Sequence, residues 1–347
     1  MLKYKSLLLI LAITAIMITS CSAKDNSVPV EEQGFFMGTV ITEKVYGSNA
    51  ETAAKKVMDR IQQLEKIMTI NSPNSEIVLL NSSAGIDKVN LSPESIFVLN
   101  RAKYFSQLSN GAFDVTVGPL VKSWAIGTTD AKVPDKAEIE QLLKLVDYKS
   151  ITIDEKSNTA QLLKKGQIVD LGGIAKGYAG DEAVKIYKEH DIKSAFINIG
   201  GNVVVLGSKP DKTPWKVGIQ DPRATRDNYL GIVEVSNKAV VSSGDYERFF
   251  EKDGIRYHHI LDPYTGYPAN SGLMSVTIIA DSSIDADALS TATFVLGLQK
   301  GIELIESLKG VEAIFITNDK KIYTTKGLKG NFKLTDESKD YEYVEKR

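Results

Sequence analysis

Three aspartates crowd the stretch DSSIDADALSTA at residues 281–292. On a helix Asp287 and Thr291, four apart, share one face, and Ser290 lies three from Asp287. One carboxylate and one hydroxyl make too poor a cage for calcium, but they suit magnesium, which accepts few protein ligands when phosphates and waters supply the rest. A plainer reading stays open: Asp285 and Asp287 complement the positive end of a helix dipole. A second stretch, VDLGGIAKGYAGDEA at 169–183, reads as strand, glycine turn and helix with an early lysine, Lys176. Such a turn either lets backbone N–H groups approach an anion at a helix N-terminus or is only a tight connection. It is not a Walker A loop, because its lysine is followed by Gly177, and it is not a G-x-G-x-x-G fingerprint. Of the three histidines, His190 in KEHD reads as a solvated residue in the last turn of a helix. His258 and His259 adjoin on one strand, so their side chains point to opposite faces, and one can face a core or cleft while the other faces solvent. They cannot converge on one zinc ion.

Several elements must position these residues. Ala53, Val57, Ile61, Leu64 and Met68 recur at helical spacing after Asn49. Ser92-Pro93 opens a second helix that stops near Asn110-Gly111, and Asp135 with Glu138 makes a capping-box pattern before Ile139, Leu142, Leu143 and Val146. A further helix runs from Gly172-Gly173 toward His190, and another follows the acidic cluster with Leu289, Ala292, Val295 and Leu296 on one side. AFINIGGNVVVLG, LGIVEVS, KAVVSSG and LMSVTIIA are β-branched and bounded by turns, and YERFFEKDGIRYHHILD is a hairpin about Asp253-Gly254. Helices and strands do not alternate regularly. The expected class is therefore α+β, with antiparallel sheets and flanking helices rather than a doubly wound parallel sheet.

The 347 residues are 43% hydrophobic and 25% charged, ordinary for one large or two closely packed domains. The net charge is −2, and loss of Lys3 and Lys5 with the first twenty residues leaves −4. With no basic excess and no aromatic-plus-arginine interleaving, nucleic acid is excluded as a partner. MLKYKSLLLILAITAIMITSC has two lysines, a short apolar run and then Cys21, the pattern of a secretory signal. Cys21 is the only cysteine, so disulfide, thiolate-metal and Cys-nucleophile chemistries are excluded from the mature domain. A lone cysteine at the cut site resembles a bacterial lipobox, in which the thiol is diacylated. The expected division is a signal peptide over 1–20, a polar tether over 21–33, a folded domain over 34–330 and a polar tail over 331–347.

Six ordered motifs, MGT (37–39), GAFDVTVGPLVKSW (111–124), VDLGGIAKGYAGD (169–181), INIGGN (197–202), HILDPYTG (259–266) and DADALSTA (285–292), together resemble the ApbE family of bacterial flavin transferases, often lipoproteins. The likeness runs from about residue 34 to 325. It implies two closely packed lobes with FAD in the cleft between them and Mg²⁺ on its diphosphate. It also implies transfer of FMN to a threonine of a partner protein with release of AMP. The implied metal ligands are Asp287, Thr291 and the backbone carbonyl of Gly173, with Ser290 weaker. The implied flavin-nucleotide contacts are Met37, the run Ala112-Phe113-Asp114, Asp170, Lys176 and Leu261. His259 would handle the acceptor proton. Implied acceptors are subunits of Rnf- or Nqr-type electron transport or other extracytoplasmic flavoproteins, with the domain held to the membrane, outside the cytoplasm, by the lipid on Cys21. One position departs: residues 68–71 are MTIN where the family commonly has Met-Ser-x-Tyr, so Asn71 replaces an aromatic cover over the nucleotide. That opens a second reading, an FAD pyrophosphatase with water as acceptor. A third is a surface lipoprotein that only binds flavin.

Overall fold

The computed structural model describes residues 27–225, 228–335 and 340–344; the signal-like stretch and Cys21 lie outside the described residues. Within them a nine-stranded sheet runs β1 (Val30–Phe36), β2 (Thr39–Tyr46), β6 (Ser194–Ile199), β7 (Asn202–Leu206), β10 (Lys238–Gly244), β13 (Leu273–Ala280), β14 (Glu312–Thr317), β15 (Lys321–Thr324), β17 (Glu342–Val344). Every neighbouring pair in it is antiparallel except β15–β17. Two three-stranded sheets accompany it: β16 (Phe332–Leu334), β9 (Tyr229–Val235), β8 (Trp215–Gln220), and β3 (Val89–Asn90), β5 (Thr159–Leu162), β4 (Ile151–Asp154). β11 (Phe249–Lys252) and β12 (Ile255–His258) form the expected hairpin. Its turn residues Asp253 and Gly254 have φ of 52° and 75°, the left-handed pair that matches strand twist.

The central strands read as unbroken apolar runs because both faces are covered. Ala239, Val241, Val276, Ile278, Ala313 and Phe315 enter a core under the helices. Their neighbours Val240, Ile279, Ile314 and Ile316 enter a second core against β8, β9 and β16. The helical face carries α1 (Ala50–Met68), α2 (Glu76–Ser82), α3 (Pro93–Leu108), α6 (Ala175–Glu189) and α7 (Ser283–Glu306). The predicted stripe Ala53, Val57, Ile61, Leu64 and Met68 of α1 is buried throughout. α3 starts at Pro93 behind a Ser92 cap, and the chain turns away from it through Asn110 and Gly111 at φ of 54° and 95°. α7 kinks at Gly297, whose φ of 78° breaks the helical path. α4 (Gly118–Trp124), α5 (Lys136–Leu143) and the β11–β12 hairpin enclose a smaller separate core of Leu120, Trp124, Ile139 and Leu261. Trp124 Nε1 donates to the Gly266 carbonyl at 2.8 Å, closing it.

The α+β class stands, and three local expectations change. Asp135 precedes α5 but makes no side-chain cap, and Glu138, the other half of the pattern, instead accepts from Ser123 Oγ and lies 3.7 Å from Lys132. β1 begins at Val30, inside the stretch expected as tether. Beyond residue 330, β16 pairs with β9 and β17 with β15, so part of the polar tail adds to the sheets.

Candidate active site

The site grows from the contact of α6 with α7. A Cβ on Gly177 would lie 2.4 Å from the Ser283 carbonyl oxygen and 2.7 Å from Asp287 Cβ, so only glycine lets the helices meet here. That approach leaves Asp287 3% exposed, with Oδ2 accepting from the Gly177 amide at 2.8 Å. Lys176 Nζ lies 3.4 Å from Oδ1 and 3.2 Å from Asn202 Oδ1. Because the Gly177 amide is spent on Asp287, it does not close the helical bond back to Gly173, and among the described residues no backbone amide donates to the Gly173 carbonyl. Gly173 faces Thr291: a Cβ there would sit 3.4 Å from Thr291 Oγ1 and 3.1 Å from the Phe113 ring. Asp287, Thr291 and Gly173 are therefore brought together. Ser290 is not aimed at them, since its buried hydroxyl donates to the Asp287 carbonyl at 2.8 Å and meets Ser243 Oγ.

The adjacent histidines divide, but not by strand alternation: β12 ends at His258, and His259 lies in the bend that follows it. His258 is buried edge-on against Phe294, with Nε2 3.1 Å from the Ala269 carbonyl and Nδ1 accepting from the Ile260 amide at 3.3 Å. Both ring nitrogens are used, a structural role. His259 is half-buried, and its Nδ1 lies 3.3 Å from the Arg248 carbonyl. A carbonyl only accepts, so Nδ1 carries the hydrogen and the Nε2 lone pair is left free. Burial pushes the His259 pKa down to about 3, and the charges of Arg248, His258 and Lys176 add to this. The ring is neutral at physiological pH.

The ApbE family's sequence profile matches residues 37–315. This chain belongs to the ApbE family. It is 35% identical over 336 residues to the FAD:protein FMN transferase of Treponema pallidum (strain Nichols), covering 92% of this chain and 93% of that one. It is 37% identical over 286 residues to a Klebsiella pneumoniae (strain 342) protein of the same name, covering 82% and 88%. In structure it resembles the ApbE protein of Thermotoga maritima MSB8, with TM-score 0.81, 35% identity and 87% and 99% of the two chains covered. The flavin transferase ApbE of Vibrio cholerae gives 0.78 at 28% identity over 87% and 99%. Membership in the ApbE family makes the chain an enzyme, a transferase.

Around this centre the other ApbE-motif residues take different places. Met37 and Gly38 form the β1–β2 turn at φ of 54° and 71°, and the Met37 amide donates to Glu65 in the last part of α1. The turn abuts the Gly200-Gly201 turn that leads to Asn202: a Cβ on Gly200 would lie 2.2 Å from Thr39 Oγ1. Asn71 is exposed on the loop after α1, its amide bonded to Thr69 Oγ1. Ala112 and Phe113 are buried, Phe113 against Gly173. Asp114 is also buried, and its carboxylate is already committed: Oδ1 accepts from the Thr116 amide and hydroxyl, Oδ2 from the Tyr148 amide. Burial raises its pKa against those donors. It shapes the loop rather than reaching outward. Asp170 Oδ1 holds the Gly172 amide at 2.8 Å, and burial raises its pKa while that bond and Arg248 oppose. Leu261 is buried in the small core, beneath the loop that carries His259.

The aspartates that opened the question separate too. Asp281 pairs with Lys238, and Asp285 with Arg101. The N-terminus of α7 is satisfied mainly by Asp181 of α6, which accepts from the Ser283 and Ile284 amides at 2.7 and 3.0 Å and from Ser282 Oγ at 3.0 Å. Sequence reasoning missed Asp181, Asn202 and Arg248. Asp181 lies within a motif already singled out, four residues after Gly177, and its acidic type was the available signal.

Proposed function

We propose that this chain transfers the FMN half of FAD to a threonine hydroxyl of an acceptor flavoprotein, with Mg²⁺ and with release of AMP. The observation that carries the reading is that α6 meets α7 with the Gly177 amide on Asp287 and with Thr291 Oγ1 against Gly173, whose carbonyl no backbone amide among the described residues uses. No three His, Cys, Asp or Glu side chains converge as a metal cluster among the described residues. The donor set is instead one carboxylate, one hydroxyl and one carbonyl, all hard oxygens, which suits magnesium sharing its shell with phosphates and waters. These three residues would hold the ion, and when bound it supplies Lewis-acid neutralisation of the diphosphate.

The chain's own residues do the rest. Lys176, beside Asp287, adds positive charge where the diphosphate would lie. His259 Nε2 accepts the proton of the acceptor hydroxyl as its oxygen bonds to the flavin-side phosphorus. The bond from that phosphorus to the bridging oxygen breaks, and AMP leaves with the electron pair. Relatives named FAD:protein FMN transferase support this course. The acceptors we propose are extracytoplasmic electron-transport subunits of Rnf or Nqr type, met at a membrane to which Cys21 anchors the domain. A competing hydrolysis, FAD to FMN and AMP, is favoured by the exposed position of Asn71. The test is Asp287→Asn, which keeps shape and removes charge: AMP release and covalent flavin on the acceptor should both cease, as they should for wild type under a chelator. Unchanged turnover in either case overturns the reading.

A further inference from the structure

We infer that the Lys176 ammonium and the metal compete for one oxygen of Asp287, so that Lys176 sets the metal affinity of the site and yields that oxygen when a diphosphate draws it away. This rests on the reading that the metal binds at Asp287. A carboxylate only 3% exposed needs compensation on both oxygens. Oδ2 has the Gly177 amide at 2.8 Å, and Oδ1 has Lys176 Nζ at 3.4 Å. The metal would need the lone pairs of that same Oδ1.

Asn202 fixes the other end of the exchange. It is 1% exposed, its Oδ1 lies 3.2 Å from Lys176 Nζ, and its Nδ2 is buried with no hydrogen-bond partner among the described residues. Flipping the amide would turn a donor toward the ammonium, so the unsatisfied Nδ2 is tolerated to keep Oδ1 on the lysine. Lys176 thus has a second acceptor to keep when it leaves Asp287, and its side chain, 26% exposed, can turn to a phosphate. Two cations cannot share Oδ1 without strong repulsion. Metal alone must therefore displace the ammonium, whereas a bound diphosphate removes the competitor. The coupling is reciprocal.

The test uses Mn²⁺ alone, titrated into flavin-free protein at mildly alkaline pH and read by the electron-spin signal of the free ion. Lys176→Met should bind Mn²⁺ at least about tenfold tighter than wild type, since one charge-assisted hydrogen bond no longer has to be broken. Lys176→Arg should stay near wild type. Thermal melts should show a larger Mn²⁺-induced stabilisation for Lys176→Met, and Lys176→Gln provides a second uncharged variant if Met folds poorly. Equal or weaker Mn²⁺ binding by both uncharged variants, with Asp287→Asn still abolishing binding, overturns this inference and leaves the metal reading standing. Tight Mn²⁺ binding that survives Asp287→Asn in the Lys176→Met background overturns both.

Discussion

Replacing His259 by Gln removes the one imidazole nitrogen left free beside Lys176 and Arg248. The His259 pKa is pushed down to about 3 by burial first, then by Arg248, with the hydrogen bond to the Arg248 carbonyl opposing. Four units below neutrality, about one ring in ten thousand is protonated, so the base is in its working form across the neutral range. General-base assistance is worth about 10²–10⁴-fold, and a base held this far below the operating pH is a weak proton acceptor that belongs at the lower end, about 10²-fold or about 3 kcal/mol at 1.36 kcal/mol per tenfold. His259→Gln should lose transfer by that factor while FAD affinity changes little. In the wild type, kcat/KM reports the free protein, so its acid limb should fall well below the ordinary 6.5 of a histidine. Arg248→Met removes the second-largest cause of the depression and should move that limb upward. The same shift has a stability consequence. Between 6.5 and about 3 the unfolded chain binds the proton and the folded one does not, so stability is full above 6.5 and is lost as pH falls through that window. The assay is AMP release with acceptor present, followed from acidic to alkaline pH. A wild-type limb near 6.5 that vanishes in His259→Gln would refute the depressed pKa, and a variant within about threefold of wild type would refute the proton-transfer role.

Gly177→Ala should drive a methyl into the Ser283 carbonyl and Asp287 Cβ, costing about 1–3 kcal/mol by thermal or urea unfolding and lowering transfer by displacing Asp287. Unchanged stability would mean that α6 and α7 part freely. Asn71→Tyr should suppress AMP release measured without acceptor and spare flavinylation when acceptor is present; no acceptor-independent AMP from wild type would refute the open-site idea. Cys21→Ser should move the protein from the membrane fraction to the soluble one, and a variant that stays membrane-bound would refute anchoring through that thiol.

Local signals in the sequence reach only part of the candidate site. Helical spacing puts Asp287 and Thr291 on one face, while their proposed role as metal ligands comes from the family resemblance, and His259 falls just past the end of β12 rather than on the strand. What escaped depends on contacts between distant segments. Two amides at the start of α7 are held by Asp181, over a hundred positions earlier, and the reason the Gly173 carbonyl is free, Gly177 bonding to Asp287, is likewise a contact between distant segments. The β1–β2 hairpin was missed for a physical reason. β1 is largely exposed, and β2 places Glu43 at a core-facing position where apolar alternation would require a hydrophobe. Glu43 is tolerated there because it accepts from the buried Tyr187 hydroxyl and because burial raises its pKa to about 8, so the carboxyl is largely protonated at neutral pH. α2 has only seven residues, too few for a helical period to declare itself.

The measurement that bears most directly on the central claim is covalent flavinylation. The chain, FAD, Mg²⁺ and an extracytoplasmic flavoprotein subunit are incubated, and the denatured acceptor is examined for flavin fluorescence and for the mass of one FMN on a threonine. The account predicts FMN on an acceptor threonine with at least one AMP released for each flavin bound, and none of either with Asp287→Asn. Free FMN and AMP from the wild type with no flavin on any acceptor threonine would contradict it.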